Sequence, residues 1–186
     1  MYINWDRTVT FNPKFGLNIT GDPPKGGIKI PDYGAYGGPL NYGGPNGHGV
    51  DDLDNLFKIH DEKLLKFASD GIQPNELPLL ISPHVELIDS IAKLDAANGL
   101  EDPEAILYAG LTTLALTAEL ANIPGGVKAL GNKLDIPTVL TEAVENMEVG
   151  LAGVPGEGKS LNGALHWFEE HVVKLLVPPA SSDIWA

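Results

Sequence analysis

Apolar residues recur every three or four positions along most of the chain beyond residue 50, which is the repeat of amphipathic α-helices. Asp51 and Asp102 stand where two of these patterns begin and are suited to cap helix N-termini, and Pro103 fits a first helical position. Gly99 stands where the second pattern ends and is suited to a helix C-cap. The pattern predicts helices over residues 51–69, 82–98, 103–122, 136–149 and 160–177.

The first 50 residues have a different character. Glycine and proline dominate "GDPPKGGIKIPDYGAYGGPLNYGGPNGHG", residues 21–49, which predicts loop structure, and "RTVTFN", residues 7–12, is a possible short strand. We therefore expect one mainly α-helical domain over residues 1–186. Its parts are an irregular arm over 1–50, helices over 51–122 and additional helices over 123–186.

Composition narrows the classes of partner. The chain has 12 basic and 25 acidic residues, a net charge of -13, and no cysteine. This balance argues against nucleic acid and predicts weak binding to anionic bilayers, whereas hard cations suit such a surface. The least charged window, residues 105–118, is shorter than the ~20 residues that span a bilayer, so we expect a buried helix and no transmembrane segment. The N-terminus has no signal-peptide pattern, and the sequence leaves the localisation open.

A histidine lies on the apolar face of the first predicted helix. In "DDLDNLFKIHDEKLLKF", residues 51–67, His60 falls within the arc of the apolar side chains. On the second helix Asp95 lies near the centre of the apolar arc, and Asp89 lies at its edge. If the two helices pack antiparallel, His60 and Asp95 face each other, and the carboxylate fixes the imidazole tautomer so that the other nitrogen is free to act as a base. The alternative is a core histidine satisfied by a hydrogen bond.

The tyrosine- and glycine-rich loop upstream suits a backbone that turns tightly and presents its carbonyl oxygens. Calcium prefers such ligands, mixed with carboxylates, and Asp61 could supply the carboxylate. Together these residues predict a histidine base beside a calcium ion. In such a site His60 deprotonates a water, and the water attacks a carbonyl polarised by the metal.

These residues resemble a known family. "YGAYGG...DDLDNLFKIHD", residues 33–61, is similar to the calcium loop and catalytic helix of secretory phospholipases A2, whose pattern is Y-G-x-Y-C-G followed by D-x-L-D-x-C-C-x-x-H-D. The spacing is closest to the plant-type branch. The resemblance implies a core of two antiparallel helices with a glycine-rich calcium loop, and calcium-dependent hydrolysis of the sn-2 ester of glycerophospholipids at a membrane surface or micelle. It also implies secretion.

The resemblance further implies a role for individual residues. His60 is the base, supported by Asp95 or, failing that, Asp89. Asp61 is a calcium ligand, together with the backbone carbonyls of Tyr36, Gly38 and Asn41, the last of which could shift to Tyr42 or Gly44. Gly37, Leu56 and Phe57 stand where the family usually has cysteines, so apolar packing must replace the disulfide that ties the loop to the helix.

Two other functions remain open from the sequence. One is a catalytically silent protein that binds calcium or lipid on the same scaffold. The other is nucleotide binding through "GVPGEGKS", residues 153–160, which matches the phosphate-loop pattern G-x-x-x-x-G-K-S. A predicted helix precedes that segment instead of the strand that a phosphate loop requires, so we expect an interhelical loop. His84, in the first turn of its helix, is expected to be structural.

Overall fold

Helices form most of the protein, and a two-stranded antiparallel sheet precedes them. The computed structural model describes residues 2–11, 27–38, 43–70, 77–154, 156 and 158–177. Its strands are β1 (Ile3–Phe11) and β2 (Ile28–Tyr33). Its helices are α1 (Asp52–Ser69), α2 (Ile81–Ala96), α3 (Pro103–Asn122), α4 (Gly126–Lys133), α5 (Ile136–Gly153) and α6 (Lys159–Phe168). A 3₁₀ turn, Leu77–Leu80, leads into α2, and α6 continues through a π-helical turn, Glu169–Val173, into Lys174–Leu176.

The helix starts follow the predicted caps because a cap is a local interaction. The Asp51 carboxylate accepts a hydrogen bond from the backbone N–H of Asp54 (2.8 Å). The Asp102 carboxylate accepts from the N–H of Glu104 (2.8 Å), and Pro103 takes the first position of α3. At the end of α2 the prediction was wrong by two residues. The helix ends at Ala96, and Asn98, not Gly99, takes the left-handed conformation (φ 56°) that closes it.

The N-terminal arm is more regular than the sequence indicated. Residues 7–11 of the possible strand over residues 7–12 belong to β1, and Asn12 lies outside the described residues. The prediction of loop over residues 28–33 was wrong, because "IKIPDY" is β2, with Ile28 and Ile30 buried and Lys29 exposed. Three residues of β1, Trp5–Arg7, bulge out between the pairs Asn4↔Asp32 and Thr8↔Pro31. The proline is tolerated because a two-stranded sheet leaves one side of each strand unpaired.

Helix α3 is the centre of the core. Most of its side chains are buried, and it packs along α5 at a very short distance: a Cβ on Gly110 would lie 2.9 Å from the Met147 backbone nitrogen and would overlap the Ala143 carbonyl oxygen. Among the described residues α3 alone is long and apolar enough to cross a membrane, and 83% of its apolar window is buried inside the protein. That burial is typical of a core helix.

Two features of the C-terminal half bear on the sequence analysis. Helix α4 was missed, since it is only eight residues long and contains two glycines, one of them at its first position. The phosphate-loop-like segment connects two helices, α5 and α6, with Pro155 and Glu157 outside the described residues. The buried strand on which a phosphate loop is built is therefore replaced here by a helix.

Candidate functional site

The loop after β2 is built around one buried carboxylate, Asp54. This residue is the third of α1 and is fully buried. Its Oδ1 accepts hydrogen bonds from the backbone N–H groups of Tyr36 (2.8 Å) and Gly37 (3.2 Å). Its Oδ2 accepts from those of Ala35 (2.8 Å) and Val50 (3.0 Å). Four amides thus hold both ends of the loop to the start of the helix.

Two further side chains of α1 extend this attachment. Asn55 Oδ1 accepts from the Gly49 N–H (3.0 Å), and Lys58 Nζ donates to the Gly47 carbonyl oxygen (2.7 Å). Gly34 is required for the close approach of the carboxylate, since it has a left-handed φ of 56° and a Cβ there would overlap the Asp54 carboxylate. The D-x-L-D pattern is thereby explained in local terms: Asp51 caps α1, Leu53 is buried, and Asp54 holds the loop.

Apolar packing joins the loop to α1 at the positions where the resembling family has cysteines. A Cβ on Gly37 would lie 2.9 Å from Cδ2 of Phe57, so the phenyl ring occupies the space beside the glycine. The ring also packs edge-on against Tyr33 (centroids 6.0 Å apart) and Tyr108 (5.5 Å). This aromatic cluster connects the loop, α1 and α3.

Beside the loop lies a mostly apolar cavity of about 560 Å³. Tyr36 and Gly38 line it from the loop, and His60 and Asp61 line it from α1. Its other polar lining is His84, Tyr108, Thr112 and Glu119. Its aliphatic and phenyl lining is Phe11, Ile30, Phe57, Leu64, Leu65, Leu80, Leu87, Leu111, Ala115 and Leu116.

His60 is paired with a second histidine. Its Nε2 lies 3.0 Å from Nδ1 of His84, and the two rings are nearly parallel, with centroids 5.2 Å apart. Nε2 of His84 is buried and lies 3.1 Å from Oε2 of Glu119, close enough for a charge pair although not aligned as a hydrogen bond. The other nitrogen of His60, Nδ1, makes a long 3.5 Å contact to Oδ1 of Asp61.

The structure does not bring Asp95 to His60. Asp95 Oδ2 accepts a hydrogen bond from Asn146 Nδ2 of α5 (2.6 Å), and Asp89 forms ion pairs with Lys93 (2.8 Å) and Lys133 (3.4 Å). His60 meets the first turn of α2, and Asp95 stands eleven positions after His84, which is about 16 Å along a helix. The predicted pairing fails for this reason.

Two contacts join α1 to the first turns of α2. His60 contacts His84, and Lys63 pairs with Glu86. The supporting group of His60 therefore comes from the start of α2 and not from its end. The antiparallel core of two helices stays a prediction.

The proposed calcium ligands divide into two groups. Tyr36, Gly38 and Asp61 line one cavity, while Asn41 and Tyr42 lie outside the described residues. Gly44 is held by the Tyr36 hydroxyl, which donates to its carbonyl oxygen (2.8 Å).

Burial raises the pKa of Asp61 above its ordinary value, and the nearby His60 only partly offsets this. A desolvated carboxylate of this kind favours a cation as partner.

The donor set limits which cation fits. Among the residues that the structure describes, no three histidine, aspartate or glutamate side chains are arranged to hold a metal ion. An ion bound at Asp61 would therefore take most of its ligands from backbone carbonyl oxygens. This is ligand chemistry that suits calcium and not zinc or other transition metals.

His84 and Glu119 are the residues of the site that sequence reasoning missed. From its place in the first turn of its helix, His84 is predicted to be structural. The signal for Glu119 is its surroundings: it is the one charged residue between Glu104 and Lys128, in the most apolar of the described helices. A carboxylate in such a helix needs a polar partner, and here the partner is a histidine.

No protein-family model, curated protein or solved structure matches this chain. The function is therefore inferred from the residues and their geometry.

Proposed function

We propose that the protein is a calcium-dependent phospholipase A2, which hydrolyses the sn-2 ester of glycerophospholipids to a free fatty acid and a lysophospholipid. One observation carries the proposal. A histidine with a polar support, a desolvated carboxylate and a tightly held glycine-rich loop all line the same apolar cavity. The motif that resembles secretory phospholipases A2 supplies three of these features, His60, Asp61 and the loop.

In the proposed reaction His60 is the general base. Its Nε2 is engaged with His84, which leaves Nδ1 to take a proton from a water molecule. That water attacks the carbonyl carbon of the sn-2 ester and forms a tetrahedral intermediate. When the intermediate collapses, the bond to the glycerol oxygen breaks, and His60 returns its proton to that oxygen. The products are a lysophospholipid hydroxyl and a fatty acid, which releases its remaining proton to solvent and becomes a carboxylate.

Asp61 and the carbonyl oxygens of Tyr36 and Gly38 are the groups that would hold calcium, with a further loop residue, Asn41, Tyr42 or Gly44. Bound there, the ion supplies positive charge for the ester carbonyl oxygen as it becomes an oxyanion. The protein's own part is to keep the loop in place, and Asp54 does so through its four amide hydrogen bonds.

The apolar cavity suits the acyl chain of the substrate. Its volume, about 560 Å³, is within the range of small-molecule sites, and its apolar wall is mainly leucine and phenylalanine. The same cavity supports the second candidate, a catalytically silent protein that binds calcium or a lipid. The two candidates differ in whether His60 moves a proton.

The decisive experiment measures fatty acid release from a phospholipid labelled in the sn-2 chain, with calcium and with EDTA. We expect calcium-dependent release, lowered by about 10² or more in His60→Asn, because the amide is not a base. His166→Asn is the matched control, since His166 is exposed and lines no part of the cavity. A substrate labelled in the sn-1 chain tests the regiochemistry.

Other outcomes would change the conclusion. No release by the wild type, with calcium binding still seen by calorimetry, would favour the silent binding protein. Equal release by wild type and His60→Asn would overturn the role of the base. Thermal stabilisation by ATP with Mg²⁺, without hydrolysis of phospholipid, would instead favour nucleotide binding through residues 153–160.

A further inference from the structure

Three side chains form a chain of contacts from α3 to the cavity. Glu119 Oε2 lies 3.1 Å from His84 Nε2, and His84 Nδ1 lies 3.0 Å from His60 Nε2. The residues come from three helices, α3, α2 and α1. We propose that His84 and Glu119 are positioning residues that fix the tautomer of His60, with the proton on Nε2 and the lone pair on Nδ1. The inference rests on the proposed role of His60 as the base.

The distance between the two rings requires one nitrogen to donate and the other to accept. A neutral imidazole has one N–H and one lone pair, so two arrangements are available. Either His60 Nε2–H donates to His84 Nδ1, or His84 Nδ1–H donates to His60 Nε2. In the second arrangement the lone pair of His60 is on Nε2 and accepts the hydrogen bond from His84. His60 then carries its proton on Nδ1, which cannot act as a base.

Glu119 decides between the two arrangements. An ionised carboxylate only accepts hydrogen bonds, so it favours the tautomer of His84 with the proton on Nε2. His84 Nδ1 is then an acceptor, and His60 Nε2 must donate to it. His84 Nε2 is buried from solvent, so in the described structure Glu119 is the group within reach that can satisfy that N–H. The side chain of Glu119 is 42% exposed and free to turn into alignment.

One group works against this tautomer. The Asp61 carboxylate, next to His60 in sequence, would favour a proton on His60 Nδ1. Its 3.5 Å contact is at the limit of hydrogen-bond length, whereas the contact to His84 is a normal 3.0 Å. The hydrogen bond to His84, supported by Glu119, therefore has more influence on the tautomer of His60 than the contact to Asp61 has. A cation bound to Asp61 would weaken the influence of Asp61 further.

The tautomer is measured directly by two-bond ¹H–¹⁵N NMR of the histidine side chains, at a pH at which both imidazoles are neutral. In the wild type we expect His60 and His84 both as Nε2–H tautomers. In Glu119→Ala and His84→Ala we expect His60 to shift to a mixture, with Nδ1–H populated through Asp61. Glu169→Gln is the control, since Glu169 has a similar exposure (39%) and faces His166.

Two conservative variants distinguish a positioning role of His84 and Glu119 from a purely structural role. In His84→Asn the amide oxygen can take the place of Nδ1 and accept from His60, so the Nε2–H tautomer of His60 should be retained better than in His84→Ala. Glu119→Gln keeps an accepting carbonyl oxygen without the charge and should lie between wild type and Glu119→Ala. Because the Glu119 side chain is partly exposed, its variants are expected to fold even if His84→Ala does not.

The activity assay gives the second readout. We expect kcat to fall roughly 10- to 100-fold in Glu119→Ala, the usual effect of removing a group that orients a functional side chain, with little change in KM. A wild-type His60 with its proton on Nδ1, or Glu119 variants with unchanged tautomer and kcat, would overturn the proposal. The expected tautomers without any fatty acid release would support the contact chain and overturn the proposed phospholipase activity instead.

Discussion

A single buried carboxylate, Asp54, organises the loop of the candidate site. It accepts hydrogen bonds from four backbone amides, two on each oxygen, and no water is needed to satisfy it. In a cysteine-free chain this cluster and the packing of Phe57 on Gly37 join the loop to α1, where the resembling family uses a disulfide.

Replacing Asp54 should therefore destabilise the protein strongly. We expect Asp54→Ala to lower the free energy of unfolding by more than about 3 kcal/mol, because four buried N–H groups lose their acceptor. Asp54→Asn should be nearly as harmful, since its NH₂ group would face the amides of Ala35 and Val50. Urea denaturation measures the change. Asp52→Asn, exposed in the same helical turn, should change stability by less than about 1 kcal/mol.

The carboxylate of Asp61 behaves differently, because burial raises its pKa. A folded protein with a raised carboxyl pKa binds the proton more tightly than the unfolded chain does. The contribution of Asp61 to stability is therefore greatest at acidic pH. It falls as the pH rises through the ordinary carboxyl range and levels off above the raised pKa.

From this linkage we expect Asp61→Asn to raise the thermal midpoint of the calcium-free protein at neutral pH, since the cost of a buried charge is removed. The same variant should lose the stabilisation that calcium gives to the wild type. Thermal unfolding with calcium and with EDTA, between pH 4 and pH 8, measures both effects. Asp70→Asn, exposed after α1, is the control. A lower midpoint for Asp61→Asn without calcium would contradict the assignment of a cation-binding carboxylate.

At the scale of elements, the close packing of α3 on α5 depends on two glycines, one on each helix, and each glycine faces the other helix. Gly110 of α3 lies against the backbone of Ala143 and Met147, and Gly150 of α5 lies against the backbone of Leu107. A side chain at either position would push the helices apart. This contact fixes α3, and α3 carries Glu119 and the wall of the cavity.

Alanine substitutions at glycines of the helices test this contact. The free energy of unfolding should fall where the glycine lies in the contact and rise where the glycine lies away from it. We expect Gly110→Ala and Gly150→Ala to lower the free energy of unfolding by about 1–3 kcal/mol through overlap with the facing helix. Gly163→Ala in α6, where nothing lies within 4 Å of the added Cβ, should raise it by about 0.5–1 kcal/mol through helix propensity. Denaturant midpoints of the three variants provide the comparison.

At the scale of the whole molecule, the cavity opens where an exposed leucine stands. Leu65 lines the cavity and is 47% exposed, which places it at the entrance. The net charge of -13 opposes docking on anionic bilayers. If the proposed phospholipase activity holds, apolar contact near the entrance is the expected mode of approach to a lipid surface.

A charge at the entrance should act on aggregated substrate in particular. We expect Leu65→Glu to lower hydrolysis of zwitterionic vesicles by at least about 10-fold, while hydrolysis of a short-chain monomeric phospholipid changes less, because only the vesicle must be contacted as a surface. Leu175→Glu is the matched control, since Leu175 is 51% exposed and lines no part of the cavity. Equal losses for the two variants would argue against an entrance at Leu65.

Part of the fold was predictable because it depends on neighbours in sequence. The starts of α1, α3 and α5 follow Asp51, Asp102 and Asp135, whose side chains cap amides two or three residues away. Strand β2 was not predictable in the same way. Its glycine- and proline-rich surroundings indicate loop, and it exists because it pairs with β1 and buries Ile28 and Ile30.

By itself, the sequence determined the helical segments of the described residues other than α4, that His60 and Asp61 follow a D-x-L-D helix start, and that a glycine-rich loop precedes them. These features depend on contacts within a few residues. Only the tertiary structure decided what supports His60, because that choice depends on how three helices meet. His60 reaches His84, 24 residues away in sequence, and His84 reaches Glu119 of α3, while Asp95 at the far end of α2 turns to Asn146.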